Sequence, residues 1–147
     1  MLQAAIQHAV HKKGVAVLGL PGDITDLPAV EAETTTILFR NRPVVRPSED
    51  ELVQLAELLN SHKNVTIYCG LGAAEAHKEV IQLAEKLKAP IAYSYKAKMA
   101  IQYDNPYEVG LTGLLGIPSA YHAMHECDLL VLLGTDFPYT PFMPVEN

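Results

Sequence analysis

The chain has 147 residues, of which 49% are hydrophobic and 19% charged, a composition typical of a globular domain. Its formal net charge of −6 at pH 7 excludes the basic surface that nucleic-acid binding requires, and no apolar run approaches the ~20 residues of a membrane span. We therefore expect no nucleic-acid partner and no membrane association. Two cysteines without a Cys or His neighbour at metal-ligand spacing favour the reducing cytoplasm.

The first segment combines a helix with a strand. Residues 3–12 place apolar side chains at helical spacing, and Gly14 suits the left-handed position that ends a helix. The nearly continuous apolar run at 15–20 is typical of a strand buried on both faces. Residues 24–47 show little periodicity and several prolines, so we interpret them as an interdomain linker. The predicted divisions are therefore residues 1–23, 24–47 and 48–147.

A helix is predicted to begin after Ser48, because Glu51 follows at the spacing of a capping box. Its predicted buried stripe is Leu52, Leu55, Ala56, Leu58 and Leu59. Strand and helix patterns then alternate, with strands predicted at 65–69, 89–93 and 129–133 and helices at 73–87 and 118–126. This alternation predicts an α/β fold, a Rossmann-like doubly wound parallel sheet that is truncated at its C-terminal end.

Four loops of this predicted sheet are suited to binding a ligand. In parallel α/β sheets, ligands lie beyond the carboxyl ends of the strands, and these loops are expected to share that edge. They span residues 69–75, 94–98, 110–116 and 134–139. Each also has a simpler interpretation: a tight turn without a ligand, solvated lysines, or glycines that only punctuate a loop.

The second loop argues against plain NAD binding. It has Lys96 and Lys98 where a NAD-binding domain usually places an acidic residue for the ribose hydroxyls. Two cations instead suit a phosphate or an electron-rich ring. We find no catalytic constellation, since the six histidines have no nucleophile or carboxylate at interpretable spacing. No catalytic residue and no metal ligand is predicted.

Three stretches, at 103–116, 130–139 and 73–90, resemble the pyruvate oxidase branch of the thiamine-diphosphate enzyme superfamily. The similarity runs over almost the whole chain. It implies that residues 1–23 end a pyrimidine-binding domain and that 48–147 form much of the central FAD-binding domain. It also implies that the catalytic glutamate, and the domain for thiamine diphosphate and magnesium, lie outside this chain. We therefore expect a fragment without activity of its own.

The resemblance also assigns an FAD site. It implies that the first loop faces the phosphates or adenosine, that Lys98 is a basic position after the second strand, and that the third and fourth loops line the flavin. The residues so implied are Gly70, Leu71, Gly72, Lys98, Thr112, Gly113, Leu114, Leu115, Thr135, Asp136, Phe137, Pro138 and Tyr139. The intact enzyme would decarboxylate pyruvate on thiamine diphosphate and pass the electrons to FAD, as a homo-oligomer that is tetrameric in the family.

Several alternatives stay open at this point. One is a non-oxidative relative, such as an acetolactate synthase, whose central domain lacks a flavin or keeps one without a redox role. Another is a non-catalytic module for nucleotide binding or oligomerisation. The sequence leaves open whether oxygen or a quinone accepts the electrons, whether the product is acetate or acetyl phosphate, whether the shortened domain still binds FAD, and the oligomeric state of the chain itself. An exposed edge strand would favour pairing with another chain.

Overall fold

The computed structural model describes residues 1–29, 44–136 and 140–144. The chain divides into two compact units, Met1–Pro47 and Ser48–Asn147. The first unit contains α1 (Leu2–Lys12), which matches the predicted helix, and the short α2 (Gly22–Thr25). The strand predicted at 15–20 is wrong: this segment is not assigned to a strand, and Val15 and Val17 are each 89% exposed. A strand needs a neighbour to bond its backbone, and no described segment pairs with this one.

The second unit contains a four-stranded sheet in which every neighbouring pair is parallel. Its strands are β1 (Val65–Cys69), β2 (Ile91–Tyr93), β3 (Glu108–Leu111) and β4 (Leu129–Leu133). They lie in the order β3-β2-β1-β4, so the chain winds outwards from β1 to β3 and then crosses to the other side of β1. This order confirms the predicted parallel α/β fold, with its topological switch between β1 and β4.

The described part of this unit also contains four α-helices: α3 (Glu49–Ser61), α4 (His77–Leu87), α5 (Lys98–Ile101) and α6 (Pro118–His125). The capping box predicted for α3 is present, since the Ser48 N–H donates to Glu51 Oε2 at 2.7 Å and the Glu51 N–H donates to Ser48 Oγ at 3.3 Å. The bond from the Ser48 N–H, and a second one that the Ser48 hydroxyl donates to Glu51 Oε2 at 3.0 Å, lower the pKa of the Glu51 carboxyl.

The buried stripe predicted for α3 is wrong. No residue of this helix is buried, and Leu52, Leu55 and Leu58 are each between 43% and 49% exposed. Helical spacing correctly identified the helix and its apolar face, but burial requires a surface that packs against that face. Within the described residues, no segment covers it.

The core has one layer on each face of the sheet. Alternate residues of β1 face opposite sides, with Ile67 packed beside α4 and α5, and Tyr68 packed beside α6. Val80 and Ala84 of α4 belong to the first layer. The two layers leave the interior of β1 fully buried, which explains why its sequence is a continuous apolar run apart from Thr66.

Two local features differ from the prediction. The helix predicted at 73–87 is split into a 3₁₀ helix, Leu71–Ala76, followed by α4. The strand β3 was not predicted, because its four residues include Gly110 at φ 99° and a register shift opposite Ile91/Ala92. Both are features of an irregular strand that apolar alternation does not reveal.

Candidate functional site

The carboxyl ends of all four strands open into one cavity. Because the strands are parallel, the segments that follow them lie at the same edge of the sheet. The cavity there has a volume of about 600 Å³, within the range of small-molecule and cofactor sites, and its walls are mainly apolar. We call it the edge cavity. Its lining residues are Tyr68, Leu71, Ser94, Tyr95, Lys96, Leu111, Thr112, Gly113, Leu114, Leu115, Gly134, Thr135 and Asp136.

On one side of the edge cavity, the segments after β1 and β4 are bonded backbone to backbone. The Gly70 N–H donates to Leu133 O at 2.8 Å, and the Gly72 N–H donates to Gly134 O at 2.9 Å. A Cβ at Gly72 would lie 2.8 Å from the Gly134 Cα, so only glycine permits this approach. The glycines after β1 therefore allow the backbone segments at the ends of β1 and β4 to bond to each other.

On the other side, the segments after β2 and β3 present polar side chains to the cavity. Tyr93 of β2 pairs with Leu111 of β3, so Ser94 and Thr112 follow neighbouring positions of the ladder. Thr112 is only 9% exposed. Among the described residues, neither hydroxyl forms a hydrogen bond, and Lys96 forms no ion pair.

The mouth of the edge cavity is apolar and exposed. Leu71 is 57% exposed, Tyr95 68% and Leu114 86%, although each lines the cavity. Among the described lining residues, Asp136, after β4, is the single carboxylate and Lys96 is the single cation. Since β1 lies between β4 and β2, the two charges are on different sides of the cavity.

Cys69 and Tyr93, the last residues of β1 and β2, do not line the edge cavity and offer it no nucleophile. Burial raises the pKa of the Cys69 thiol to about 12, so this side chain stays protonated at neutral pH. Burial, together with the hydrogen bond that its hydroxyl donates to Glu108 Oε1, also raises the pKa of Tyr93. Both groups are neutral packing elements rather than acid–base catalysts.

Residues 52–145 match the model of the family described as thiamine pyrophosphate enzyme, central domain. That match covers well over half of the chain. The chain belongs to the thiamine pyrophosphate enzyme family. The parallel sheet described above is consistent with the central domain of these enzymes.

Individual relatives agree with the family match. A protein of Pseudomonas amyloderamosa named "Uncharacterized 42.6 kDa protein in isoamylase 3'region" is 47% identical over 99% of this chain and 37% of its own length. The "Putative thiamine pyrophosphate-containing protein YdaP" of Bacillus subtilis is 35% identical over 98% of this chain and 25% of its own length. The pyruvate oxidase of Lactiplantibacillus plantarum is 26% identical over 95% of this chain and 23% of its own length.

These coverages show that the chain spans between about a quarter and two fifths of the length of the curated relatives it matches. Other relatives include acetolactate synthase large subunits. The relatives therefore include proteins named as a pyruvate oxidase and proteins named as acetolactate synthases.

The structure brings together seven of the thirteen residues that the sequence assigned to a cofactor. These seven line the edge cavity: Leu71, Thr112, Gly113, Leu114, Leu115, Thr135 and Asp136. Gly70 and Gly72 do not line it and instead contact the segment after β4. Lys98, the first residue of α5, does not line it either. Phe137, Pro138 and Tyr139 lie outside the described residues.

Six lining residues were not assigned individually from the sequence, namely Tyr68, Ser94, Tyr95, Lys96, Leu111 and Gly134. The sequence contained a signal that could have identified most of them. They either end a strand or directly follow one, and the segments at 94–98 and 134–139 were already recognised as ligand-suited loops. The two lysines differ in their distance from the end of β2. Lys96 is three residues past Tyr93, whereas Lys98 is five residues past it and belongs to α5.

The described part of the chain contains no group of three or more His, Cys, Asp or Glu side chains placed to bind a metal ion. None of its helices combines the length and apolarity needed to cross a membrane.

Proposed function

We propose that the edge cavity binds FAD, and that this chain is the flavin-binding part of a thiamine-pyrophosphate enzyme that oxidatively decarboxylates pyruvate. The observation that carries the proposal is the convergence of four loops on one cavity of about 600 Å³ at the carboxyl edge of a parallel sheet. When bound, FAD supplies a two-electron acceptor.

The residues present fit such a ligand in three respects. The apolar walls, with Leu111, Leu114 and Leu115 among them, suit the faces of a flavin or adenine ring. Thr112 is 9% exposed and its hydroxyl has no partner in the described residues, so this hydroxyl can form a hydrogen bond with a ligand. Lys96 supplies a positive charge for a phosphate.

The choice of pyruvate as substrate rests on similarity. The pyruvate oxidase of Lactiplantibacillus plantarum aligns with 95% of this chain, including the segments that line the edge cavity. Thiamine diphosphate and magnesium would be bound by other parts of a longer protein, since the described residues provide no metal-binding cluster. We further propose that the enzyme is a homo-oligomer, as the resemblance implies, and that it is cytoplasmic, which the two free thiols of Cys69 and Cys127 support.

Flavin binding is tested directly on the 147-residue chain. FAD is titrated into the purified protein while flavin fluorescence and melting temperature are followed. The proposal predicts saturable quenching or enhancement of fluorescence and a melting temperature that rises with FAD concentration. Absence of both responses, in this chain and in one extended to the full central domain, contradicts flavin binding.

A second candidate is acetolactate synthesis, favoured by the acetolactate synthase large subunits among the relatives. The two activities are separated by assaying the full-length protein with pyruvate. Reduction of an artificial dye acceptor without acetolactate supports the oxidase. Acetolactate formation without dye reduction supports the synthase and contradicts the oxidase.

A further inference from the structure

The helix α3 has an apolar face that nothing in the described part of the chain covers. Leu52, Leu55 and Leu58 are each between 43% and 49% exposed, and no residue of the helix is buried. A helix of 13 residues is only marginally stable in water unless its apolar face packs against another surface. Clustered apolar side chains that stay exposed mark a surface that binds a partner. We therefore expect α3 to have a packing partner.

Four apolar residues define the part of α3 that is suited to packing against a helix. Leu52, Leu55, Ala56 and Leu59 follow the i, i+3, i+4, i+7 spacing, so they project to the same side of the helix. We call these four residues the α3 seam. Val53 is also exposed, at 55%, but it projects about 100° away from Leu52 and lies outside the seam. The α3 seam can bury its leucines against one other helix.

The two ends of α3 carry opposite charges. Glu49, Asp50 and Glu51 form its first turn, whereas His62 and Lys63 directly follow its last turn. Lys63 is exposed, and its ammonium group forms no ion pair with any described residue. Two parallel copies of α3 would place their acidic turns side by side, and like charges repel. Two antiparallel copies instead place each acidic turn beside the basic end of the other helix.

We propose that two copies of this chain associate through the α3 seam, with the two α3 helices antiparallel around a two-fold axis. The middle of the seam lies between Leu55 and Ala56. A two-fold axis there sets Glu49 level with His62 of the partner subunit and next to Lys63 of the partner subunit. The partner is a second copy because this one surface is complementary to itself, apolar against apolar and acidic end against basic end.

The expected dimer is weak. Two single helices bury less than the ~800 Å² per partner of a standard protein–protein interface. We therefore expect a dissociation constant on the order of 100 µM for the dimer. The inference does not depend on flavin binding, since α3 contributes no residue to the edge cavity.

The test measures the dimer dissociation constant of the 147-residue chain by sedimentation equilibrium, at protein concentrations up to about 1 mM. Leu55→Gln replaces the leucine beside the proposed axis with a polar residue that suits a helix about equally well. Val53→Gln introduces the same side chain outside the α3 seam and is the matched control. Leu55 is 49% exposed and belongs to neither core layer, so both variants should fold, as circular dichroism and melting temperature would show.

We expect Leu55→Gln to raise the dissociation constant by about tenfold or more, because each dimer loses two buried leucines. Val53→Gln should change it by less than about twofold, because this side chain stays exposed in the dimer.

A charge swap tests the antiparallel arrangement. Glu49→Lys alone, or Lys63→Glu alone, places like charges at both ends of the dimer and should raise the dissociation constant by about three- to tenfold at low salt. The double variant pairs opposite charges again and should return the constant to the wild-type value. Because the double variant also contains Glu49→Lys, its recovery would exclude a weakened helix as the cause.

Four results would overturn the inference. The first is a chain that stays monomeric at about 1 mM. The second is an equal effect of Leu55→Gln and Val53→Gln, which would place the contact elsewhere, such as the outer edge of β4. The third is a charge swap without recovery, which contradicts the antiparallel arrangement. The fourth is hydrogen exchange at α3 that slows only in the full-length protein, which would assign the α3 seam to another part of that protein.

Discussion

The two sides of the edge cavity use their polar groups differently. On the β1/β4 side, the N–H groups of Gly70 and Gly72 bond to the chain after β4. On the β2/β3 side, the Ser94 and Thr112 hydroxyls are without partners among the described residues, and they face the cavity. A glycine-rich turn at a strand end therefore does not by itself indicate phosphate binding, because close packing of two strand ends requires glycine for the same steric reason.

The largest effect is expected from Gly70→Ala on the β1/β4 side. The new Cβ would lie 2.3 Å from Gly134 O and 2.5 Å from the Thr135 Cβ, and both neighbours are fixed by the β1–β4 contacts. We expect a loss of about 3 kcal/mol or more in the free energy of unfolding, measured by urea denaturation.

Gly113→Ala, on the β2/β3 side, is the matched control. Its Cβ would meet nothing within 4 Å, but its φ of 106° is strained for alanine. The expected cost is about 1–2 kcal/mol. Equal destabilisation by the two substitutions would contradict the claim that packing, and not backbone conformation alone, requires Gly70.

Two buried threonines provide the next comparison. The Thr66 hydroxyl donates to Ala123 O at 2.6 Å and links β1 to α6, whereas the Thr112 hydroxyl has no such bond in the described structure. Thr66→Val should therefore destabilise the protein by about 1–2 kcal/mol, while Thr112→Val should cost about 0.5 kcal/mol or less. Urea denaturation of both variants measures the difference. A larger loss for Thr112→Val would mean that its hydroxyl has a structural role.

The two free cysteines should differ in their reactivity. Cys69 is fully buried in β1, and burial raises the pKa of its thiol to about 12. Cys127 is half-buried. A thiol reagent at pH 8 should label Cys127 first and Cys69 only as the protein unfolds, as mass spectrometry of the labelled peptides would show. Because the folded-state pKa of Cys69 lies above its ordinary value of 9.0, its contribution to stability is complete below pH 9 and is lost towards pH 12.

A smaller effect is expected at the opposite ends of β1 and β4. Asp128 accepts hydrogen bonds from the backbone N–H groups of Lys63 and Asn64 at 3.1 and 2.9 Å. Desolvation alone would raise the pKa of this carboxyl, but these hydrogen bonds outweigh it and lower the pKa below 3.8. Its stabilising contribution is therefore present above that value and is lost as the pH falls through the lowered pKa.

Asp128→Asn tests this assignment through the pH dependence of the melting temperature. Between about pH 5 and pH 3, the wild type should lose more stability than the variant, because only the wild type protonates at this position. Parallel curves for the two proteins over this range would contradict it.

Much of this fold follows from the sequence because its strands and caps are strong local signals. β1 and β4 are apolar runs with the bounds predicted, and the capping box of α3 is an exact spacing of Ser48 and Glu51. Burial was predicted less well, since the apolar runs at 15–20 and on α3 have no described surface against them. Apolar periodicity identifies the face of a helix or strand that is suited to burial. Which segment covers that face depends on the tertiary structure.

The sequence predicted the position of the candidate site in the fold better than it predicted the individual residues that line it. The rule that ligands bind at the carboxyl edge located the loops containing Thr112 and Thr135, which line one cavity. The same rule could not distinguish Lys96, which lines the cavity, from Lys98, which does not, because both follow the end of β2 closely. Nor could it reveal that Gly72 bonds to Gly134, because that contact joins loops 62 residues apart in sequence.

The most direct test of the account is a titration of the ¹⁵N-labelled chain with FAD, followed by NMR. Flavin binding in the edge cavity predicts that the amide signals of Ser94, Lys96, Thr112 and Gly113 shift and saturate together, with smaller changes at Gly70 and Gly72. Saturating shifts confined to residues outside the edge cavity, or no shifts at all, would contradict it.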